Sequence, residues 1–229
     1  MAVIGDMVGS RQLADRALWQ NRLEELMREL NAVCYRCIAA GAVLTLGDEF
    51  QVLLHSAACL PEILALLDSR MSAERIKIRL GLGIGPLSTA LKPLAVGMDG
   101  PAFHLARRSI DRLKKEGGSL YVHTGDQTAD TLWNALARLR DVIREDWTTR
   151  QRQIYQTFQA LRLTAQADDL TLEENSCRVA KSGSQKELAA QMGITPSGVS
   201  KAFTRMHLDA LMQAEAALVV GLEHRLSCP

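Results

Sequence analysis

The pattern of apolar and polar residues predicts alternating strands and helices over the first half of the chain. Strands are predicted over residues 2–9, 42–46, 50–54, 75–84 and 119–124, and helices over 11–39, 61–70 and 100–116. The clearest strand is 75–84, where Ile76, Ile78, Leu80, Leu82 and Ile84 alternate with Lys77, Arg79, Gly81 and Gly83. The order β-α-β-β-α-β-α-β is typical of a ferredoxin-like core with one extra helix and strand. We therefore expect an α+β fold in which helices cover an antiparallel sheet.

From residue 127 onward the pattern is helical. A first helix over 127–146 carries an apolar stripe made of Leu132, Ala135, Leu139, Val142 and Ile143, and a second helix begins near Trp147. Residues 164–183 are polar and aperiodic, which indicates a loop. We expect a first domain over 1–126, a connecting helix over 127–146 and an all-α domain over 147–229.

The segment SQKELAAQMGITPSGVSKAFTRM, residues 184–206, carries the signals of two short helices joined by a turn. Ser184 and Glu187 have the spacing of a capping box, and Gly193 is suited to end the first helix. Thr195 is suited to cap the second, which starts at Pro196. A shared core is expected from Leu188, Ile194, Val199 and Phe203. This combination predicts a helix-turn-helix.

A helix-turn-helix suggests DNA as a partner. Residues 178–205 contain five cations, Arg178, Lys181, Lys186, Lys201 and Arg205, against the single acid Glu187. The expected DNA-contacting residues are Gln185, Lys186, Ser197, Ser200, Lys201, Thr204 and Arg205. The alternative is a helical hairpin used for dimer packing, because an apolar helix follows over 208–225. That last helix is also the expected seam of a homodimer.

Composition narrows the class without naming a function. The chain has 229 residues, a formal net charge of +1 and 47% hydrophobic residues, as in ordinary globular proteins. No apolar run approaches the ~20 residues of a membrane span, and no signal peptide is evident, so we expect a cytoplasmic protein. Cys34 and Cys37 form a C-x-x-C pair, which a redox site or simple packing would explain. Packing is favoured, because zinc needs four ligands and no second pair accompanies them.

Two acidic residues stand out in apolar surroundings. Asp48 occupies the tight turn of LTLGDEFQVLL, residues 44–54, and Asp6 interrupts the apolar first strand. If those strands are neighbours, the two carboxylates converge and suit a divalent cation, Mg²⁺ or Mn²⁺. Asp48 alone is equally explained as a turn former. Asp6 is harder to explain by packing, because an unpaired buried carboxylate is costly.

The same residues carry a family resemblance. The motifs GDMVGS, LTLGDEF, IRLGLGIG and GPAFHLARR follow, in order and spacing, the catalytic core of class III nucleotidyl cyclases, over about residues 2–123. The turn LGDEF also resembles the signature turn of GGDEF diguanylate cyclases, which share the palm architecture. With its C-terminal helices, the chain as a whole is similar to the bacterial SatD family.

The resemblance implies a nucleotide site. Asp6 and Asp48 would hold two metals over a triphosphate, and the backbone of Met7, Val8, Gly9 and Ser10 would cradle phosphate oxygens. Arg108 would stabilise charge on the transferred phosphorus, with Arg107 beside it an equal candidate. His104 replaces the ribose-positioning asparagine of the cyclases, and Leu44 and Gly97 replace the adenine-reading lysine and aspartate. The resemblance also implies a homodimer, because cyclases complete each site across two subunits.

Two functions are compatible with these features. The first is a DNA-binding transcriptional regulator whose cyclase-like domain senses a nucleotide or a metal. The second is an enzyme, a nucleotidyl cyclase or related nucleotidyltransferase that acts on a base other than adenine. The replaced base-reading and ribose residues favour the first. DNA, a nucleoside triphosphate and a second copy of the chain are the expected partners.

Overall fold

The computed structural model describes residues 1–9, 16–45, 47–71, 76–168 and 182–227. The strands are β1 (Ala2–Met7), β2 (Ile38–Leu44), β3 (Glu49–Leu54), β4 (Ile78–Gly83) and β5 (Leu120–His123). The helices are α1 (Arg16–Val33), α2 (Leu60–Met71), α3 (Pro101–Glu116), α4 (Gln127–Glu145), α5 (Thr149–Asp168), α6 (Ser182–Met192), α7 (Pro196–Arg205) and α8 (Leu208–Ser227). None of these helices is long and apolar enough to cross a membrane.

The five strands form one mixed sheet in the order β2-β3-β1-β4-β5. β1 lies between β3 and β4 and is antiparallel to both, whereas β4 and β5 are parallel. The predicted α+β class and the predicted order of elements are confirmed. The expectation of a purely antiparallel sheet is wrong at β5, because the crossover through α3 returns the chain in the direction of β4.

Helices cover both faces of this sheet. On one face α1 and α2 pack against a core that includes Val3, Val52, Leu80 and Leu82. On the other face α3 packs against Ala2, Ile4 and Leu53. The predicted alternation along β4 places Gly81 and Gly83 on the face toward α3, and this allows α3 to lie close to the sheet. A Cβ added at Gly81 would lie 2.4 Å from the carbonyl oxygen of Ala106, and one at Gly83 would lie 2.1 Å from that of Ala102. Only glycine admits α3 at this distance.

The predicted boundary between the first helix and the second strand is wrong. The helix was expected to run to residue 39, but α1 ends at Val33 and β2 begins at Ile38. Gly41, expected to end the helix, lies inside β2, where its N–H donates to the carbonyl of Pro93 at 2.8 Å. Pairing with distant segments therefore sets this boundary. Cys34 and Cys37 lie in the intervening turn and are buried in the core, as the packing interpretation expected.

The helical half packs onto the sheet half. α5 continues to Asp168, past the predicted loop boundary, and α6 begins at Ser182, so Ser184 is not the residue that precedes the helix. α8 was expected to be a dimer seam. Most of its apolar residues are instead covered by the same chain: Leu208, Leu211 and Met212 pack with α6 and α7, and Leu218 and Leu222 pack in the core beneath the sheet.

Most of the apolar stripe of α4 faces outward. Leu132, Leu139 and Val142 are 62%, 54% and 44% exposed, whereas Ile143 is partly buried. The inward side combines apolar packing of Trp133, Leu136 and Ala137 with polar contacts. The side chain of Asn134 accepts from the backbone N–H of Val122 and donates to its carbonyl, both at 2.8 Å, and so satisfies the edge of β5. An apolar repeat therefore pointed to the wrong side of this helix.

The largest fully buried side chain of the described residues is Arg140 on α4, which is 1% exposed. Its Nε donates to Glu215 on α8 at 2.7 Å and its Nη2 to Asp68 on α2 at 3.2 Å. Its Nη1 donates to the hydroxyl of Ser119, just before β5, at 3.2 Å. This single guanidinium joins both halves of the chain.

We predict that Arg140→Ala lowers the free energy of unfolding by about 3–5 kcal/mol, because it leaves Glu215 buried without a cation. The paired replacement Arg140→Met with Glu215→Leu should recover much of that loss, since it removes both charges. Urea unfolding at neutral pH measures both. A double variant as unstable as Arg140→Ala would contradict this account.

Candidate functional site

Asp6 lies at the end of the central strand β1, opposite Glu49 on β3 and Arg79 on β4. It is 7% exposed, so its charge requires partners. Arg79 Nη1 lies 3.2 Å from one carboxylate oxygen, and Lys114 Nζ, from α3, lies 2.7 Å from the other. Asp6 is thus paired with two cations.

Glu49, at the start of β3, is the second buried carboxylate beside the end of β1. Both of its oxygens accept from the guanidinium of Arg107 on α3, and Thr45 Oγ1 donates to Oε1 at 3.2 Å. Burial alone would raise the pKa of Glu49, but the hydrogen bonds and charge of Arg107 outweigh burial and hold the pKa below its usual value of 4.5. The carboxylate of Glu49 therefore stays ionised in the folded protein.

The hairpin tip lies beside the end of β1, as the sequence predicted. The backbone N–H of Met7 donates to the carbonyl of Asp48 at 3.1 Å, and that of Val8 donates to the carbonyl of Lys77 at 2.8 Å. Both amides are therefore already bonded and are not available to the phosphate cradle expected at Met7–Ser10. Gly9 has a positive φ of 78°, and Ser10 lies outside the described residues.

The expected metal site does not fit the observed contacts well. Both oxygens of Asp6 are bonded to cations, and the described residues contain no group of three or more metal-ligating side chains. Around Asp6 and Glu49 the three cations Arg79, Arg107 and Lys114 are matched by three carboxylates, because the charge of Asp111 also acts on Arg107. These residues together carry no excess of positive charge. Metal at Asp6 and Asp48 stays a prediction that requires Lys114 to move away.

His104 and Arg108 lie on the outward side of α3. His104 Nε2 is 3.3 Å from Asp99 Oδ1, and both side chains are exposed. Arg108 is exposed as well, and in the part of the chain described here neither residue bonds to Asp6 or Glu49. Within one chain, the residues of α3 that pair with Asp6 and Glu49 are Lys114 and Arg107.

Sequence reasoning missed Glu49 and Lys114 at this site. Glu49 was assigned only to the turn, although the register places it directly opposite Asp6. The alternation of β4 did contain a signal, because Arg79 shares the face of Gly81 and Gly83, which lies against α3. Lys114 had no such signal, since its contact depends on how α3 crosses the sheet.

The second candidate site is the pair α6 and α7. As predicted, Gly193 adopts a positive φ of 62° after α6, and the side chain of Thr195 accepts from the N–H of Gly198 at 3.0 Å. Leu188, Val199 and Phe203 are buried together, and Phe203 packs edge to face on Phe158 of α5 at 5.2 Å. The two helices are therefore fixed to α5 by a common core.

The opposite side of this pair is polar and open to solvent. The exposed residues include Lys186, Ser197, Ser200, Lys201, Thr204 and Arg205, and Gln185 is half-buried. Arg178 and Lys181, and the side chain of Ser184, lie outside what the structure describes. All the expected DNA-contacting residues except Gln185 are thus fully accessible.

Comparison with known proteins gives one match. The model of the SatD family matches residues 1–215. No curated protein and no solved structure matches the chain.

The Glu49–Arg107 pair should make the free energy of unfolding depend on pH. Because the folded pKa of Glu49 lies below 4.5, the pair stabilises the wild type above that pH, and the contribution is lost as the pH falls through the folded value. In Arg107→Gln burial dominates and the pKa of Glu49 rises. The variant should lose roughly 1–3 kcal/mol of unfolding free energy at pH 7 and clearly less near about pH 4.

Urea unfolding at both pH values measures this difference. The matched control is Arg112→Gln on the same helix, which removes an exposed pair with Glu116 and should change stability by less than about 0.5 kcal/mol. A loss in Arg107→Gln that does not depend on pH would refute the assigned pairing.

Proposed function

The chain belongs to the SatD family, and from this premise we propose that it is a DNA-binding transcriptional regulator whose N-terminal domain senses a nucleotide. The observation that carries the proposal is the polar surface of α7. Ser197, Ser200, Lys201, Thr204 and Arg205 are all exposed on it. Among the residues that the structure describes, no packing contact requires this set of side chains.

In this proposal α6 and α7 are a helix-turn-helix. α7 is the recognition helix, with Ser197, Ser200 and Lys201 nearest the end that enters the major groove. Lys186, near the start of α6, would contact phosphates. The core of Leu188, Val199 and Phe203 supports this assignment, because it holds α7 with its polar side outward.

The N-terminal domain, residues 1–126, is proposed to be a palm domain of the nucleotidyl cyclase type. Supporting this, the four strands β4-β1-β3-β2 have the order of a ferredoxin-like fold, with α1 and α2 on one face. Asp6 ends the central strand, and the hairpin carrying Asp48 lies beside it. α4 then links this domain to the helical one, residues 147–229.

A sensing role is favoured over catalysis by the charges. Asp6 is held by Arg79 and Lys114, and Glu49 is held by Arg107, so neither carboxylate is free for metal-assisted phosphoryl transfer. His104 and Arg108 face outward, so they would act only on a site completed by a second subunit.

The second candidate is a nucleotidyl cyclase or related nucleotidyltransferase with a base other than adenine, using Mg²⁺ or Mn²⁺ at Asp6 and Asp48. The closeness of the hairpin to the end of β1 favours it. Incubation with the four nucleoside triphosphates and Mn²⁺, followed by mass spectrometry, separates the two. A cyclic product formed by the wild type but not by Asp48→Ala would establish the enzyme.

We place the dimer contact on α4, because α8 is covered within the chain. Leu132, Ala135, Leu139 and Val142 have the a and d spacing of a coiled coil, and all four face solvent. Arg138 and Glu145 flank the stripe, are exposed and lie 3.6 Å apart. Opposite charges on one edge can pair across a two-fold axis, so the surface suits a second copy of itself.

For DNA binding, the double variant Lys201→Ala with Arg205→Ala should bind the chain's own promoter region at least about tenfold more weakly, through lost contacts on α7. The measurement is fluorescence anisotropy over a range of salt concentrations. The wild type should show a clear salt dependence, and the variant a smaller one.

Arg28→Ala serves as the control, because Arg28 is an exposed cation on α1, far along the chain from α7. It should leave the affinity unchanged. A wild type without salt-dependent affinity for any duplex DNA would end the proposal.

For the dimer, Leu139→Glu should convert a dimer to a monomer, because two buried charges would meet across the seam. Sedimentation velocity over a range of concentrations measures the change. Val220→Glu is the matched control, since Val220 is 70% exposed on α8 and outside the stripe. Equal behaviour of the two variants would exclude α4 as the seam.

A further inference from the structure

A large cleft of about 940 Å³ lies between the sheet half and the helical half of the chain. One wall comes from α2 and β4 and includes Leu64, Leu67 and Ile78. The other wall comes from α4 and α5 and includes Arg144 and Gln153. Pockets of roughly 300–1,000 Å³ hold small organic ligands, so the cleft is large enough for one.

The charges that line the cleft are mostly positive. Lys77 and Arg79 stand at its β4 end, and Lys77 has no ion-pair partner among the residues described. Arg140 and Arg152 are already committed, the first to Glu215 and the second to backbone carbonyls. Arg79 and Arg144 each have one carboxylate partner, Asp6 and Asp68. Lys77 is therefore the one cation of the described lining whose side chain has neither an ion pair nor a hydrogen bond, and Arg144 Nε is a second donor without an acceptor.

Arg144 is incompletely satisfied by the protein. One of its terminal nitrogens lies 2.7 Å from Asp68, and its guanidinium lies over the rings of Trp147 and Tyr155 at 5.8 and 5.3 Å. Its Nε is buried and has no hydrogen-bond acceptor. An unpaired buried donor is costly, which distinguishes this arginine from the saturated Arg140.

The cleft also touches the parts of the chain that hold α6 and α7. α5, which forms one wall, shares a core with both helices. Arg150, in the first turn of α5, donates to the carbonyl of Met192 at 2.6 Å, and Trp147 Nε1 donates to the carbonyl of Met206 at 3.1 Å. A ligand that bridges β4 and α5 would therefore act on the elements that position α7.

From these contacts we infer that the cleft is the effector site and that it takes a nucleotide. The phosphates lie toward Lys77 and Arg79, and the base lies along Leu64, Leu67 and Ile78. The site is separate from the carboxylates of Asp6 and Asp48 and needs no metal ligand from them. This inference rests on the proposed function, because it assigns the place where the nucleotide is sensed.

The test is isothermal titration of the full chain with the four nucleoside triphosphates, their monophosphates and inorganic phosphate, without divalent metal. At least one nucleotide should bind at concentrations below about 1 mM. Lys77→Glu, which reverses an exposed charge, and Gln153→Trp, which fills the cleft, should each weaken binding at least about tenfold. Lys115→Glu, an exposed cation of α3 outside the cleft, should not weaken it.

Several results would overturn the inference. The first is that no nucleotide binds. The second is that nucleotide binding is weakened by neither cleft variant. The third is that inorganic phosphate binds as tightly as every nucleotide. DNA affinity measured on the same samples keeps the two proposals apart. Salt-dependent DNA binding without nucleotide binding would remove the effector site and leave the regulator. Nucleotide binding at the cleft with no DNA affinity would leave the nucleotide site and remove the DNA-binding regulator.

Discussion

The buried guanidinium of Arg140 is the interaction on which the packing of the chain depends. Its desolvation is costly, and the cost is offset only when Glu215, Asp68 and Ser119 converge on it. Those three partners belong to α8, α2 and the approach to β5. A different placement of the helical half would leave a buried charge without its partners. The ion pairs thus select one arrangement of the two halves, while the apolar contacts supply most of the stability.

The same network explains why the pattern of α4 misled sequence reasoning. Its inward side carries Arg140, Asn134 and Asp141, which bond to other elements, beside Ala137, while Leu132, Leu139 and Val142 are left outside. A periodicity argument assumes that apolar means buried, and it fails where polar groups find buried partners. Local signals were more reliable. The turn at Gly193 and the cap at Thr195 depend only on neighbouring residues, and both were predicted. The start of β2 depends on pairing with distant segments, and its position was not predicted correctly.

At the candidate site, too, local features could be predicted and contacts between distant segments could not. Asp6 was recognisable from the sequence, because a carboxylate within an apolar strand must have a partner. The identity of that partner was not recognisable. Arg79 and Glu49 face it through strand register, and Lys114 reaches it only because Gly81 and Gly83 let α3 lie against the sheet. Resemblance to cyclases therefore drew attention to Asp6 and the neighbouring hairpin, where the structure pairs Asp6 with Arg79 and Lys114, and the metal stays a prediction.

That pairing bears on what the N-terminal domain does. A metal-dependent transferase needs free carboxylates, and a carboxylate bound to two cations is available only after those cations leave. Removing Lys114 from Asp6 would expose a buried charge unless a metal arrived at the same time. The ion pairs of Asp6 therefore oppose metal binding at the end of β1, and metal-assisted catalysis there requires both cations to be displaced.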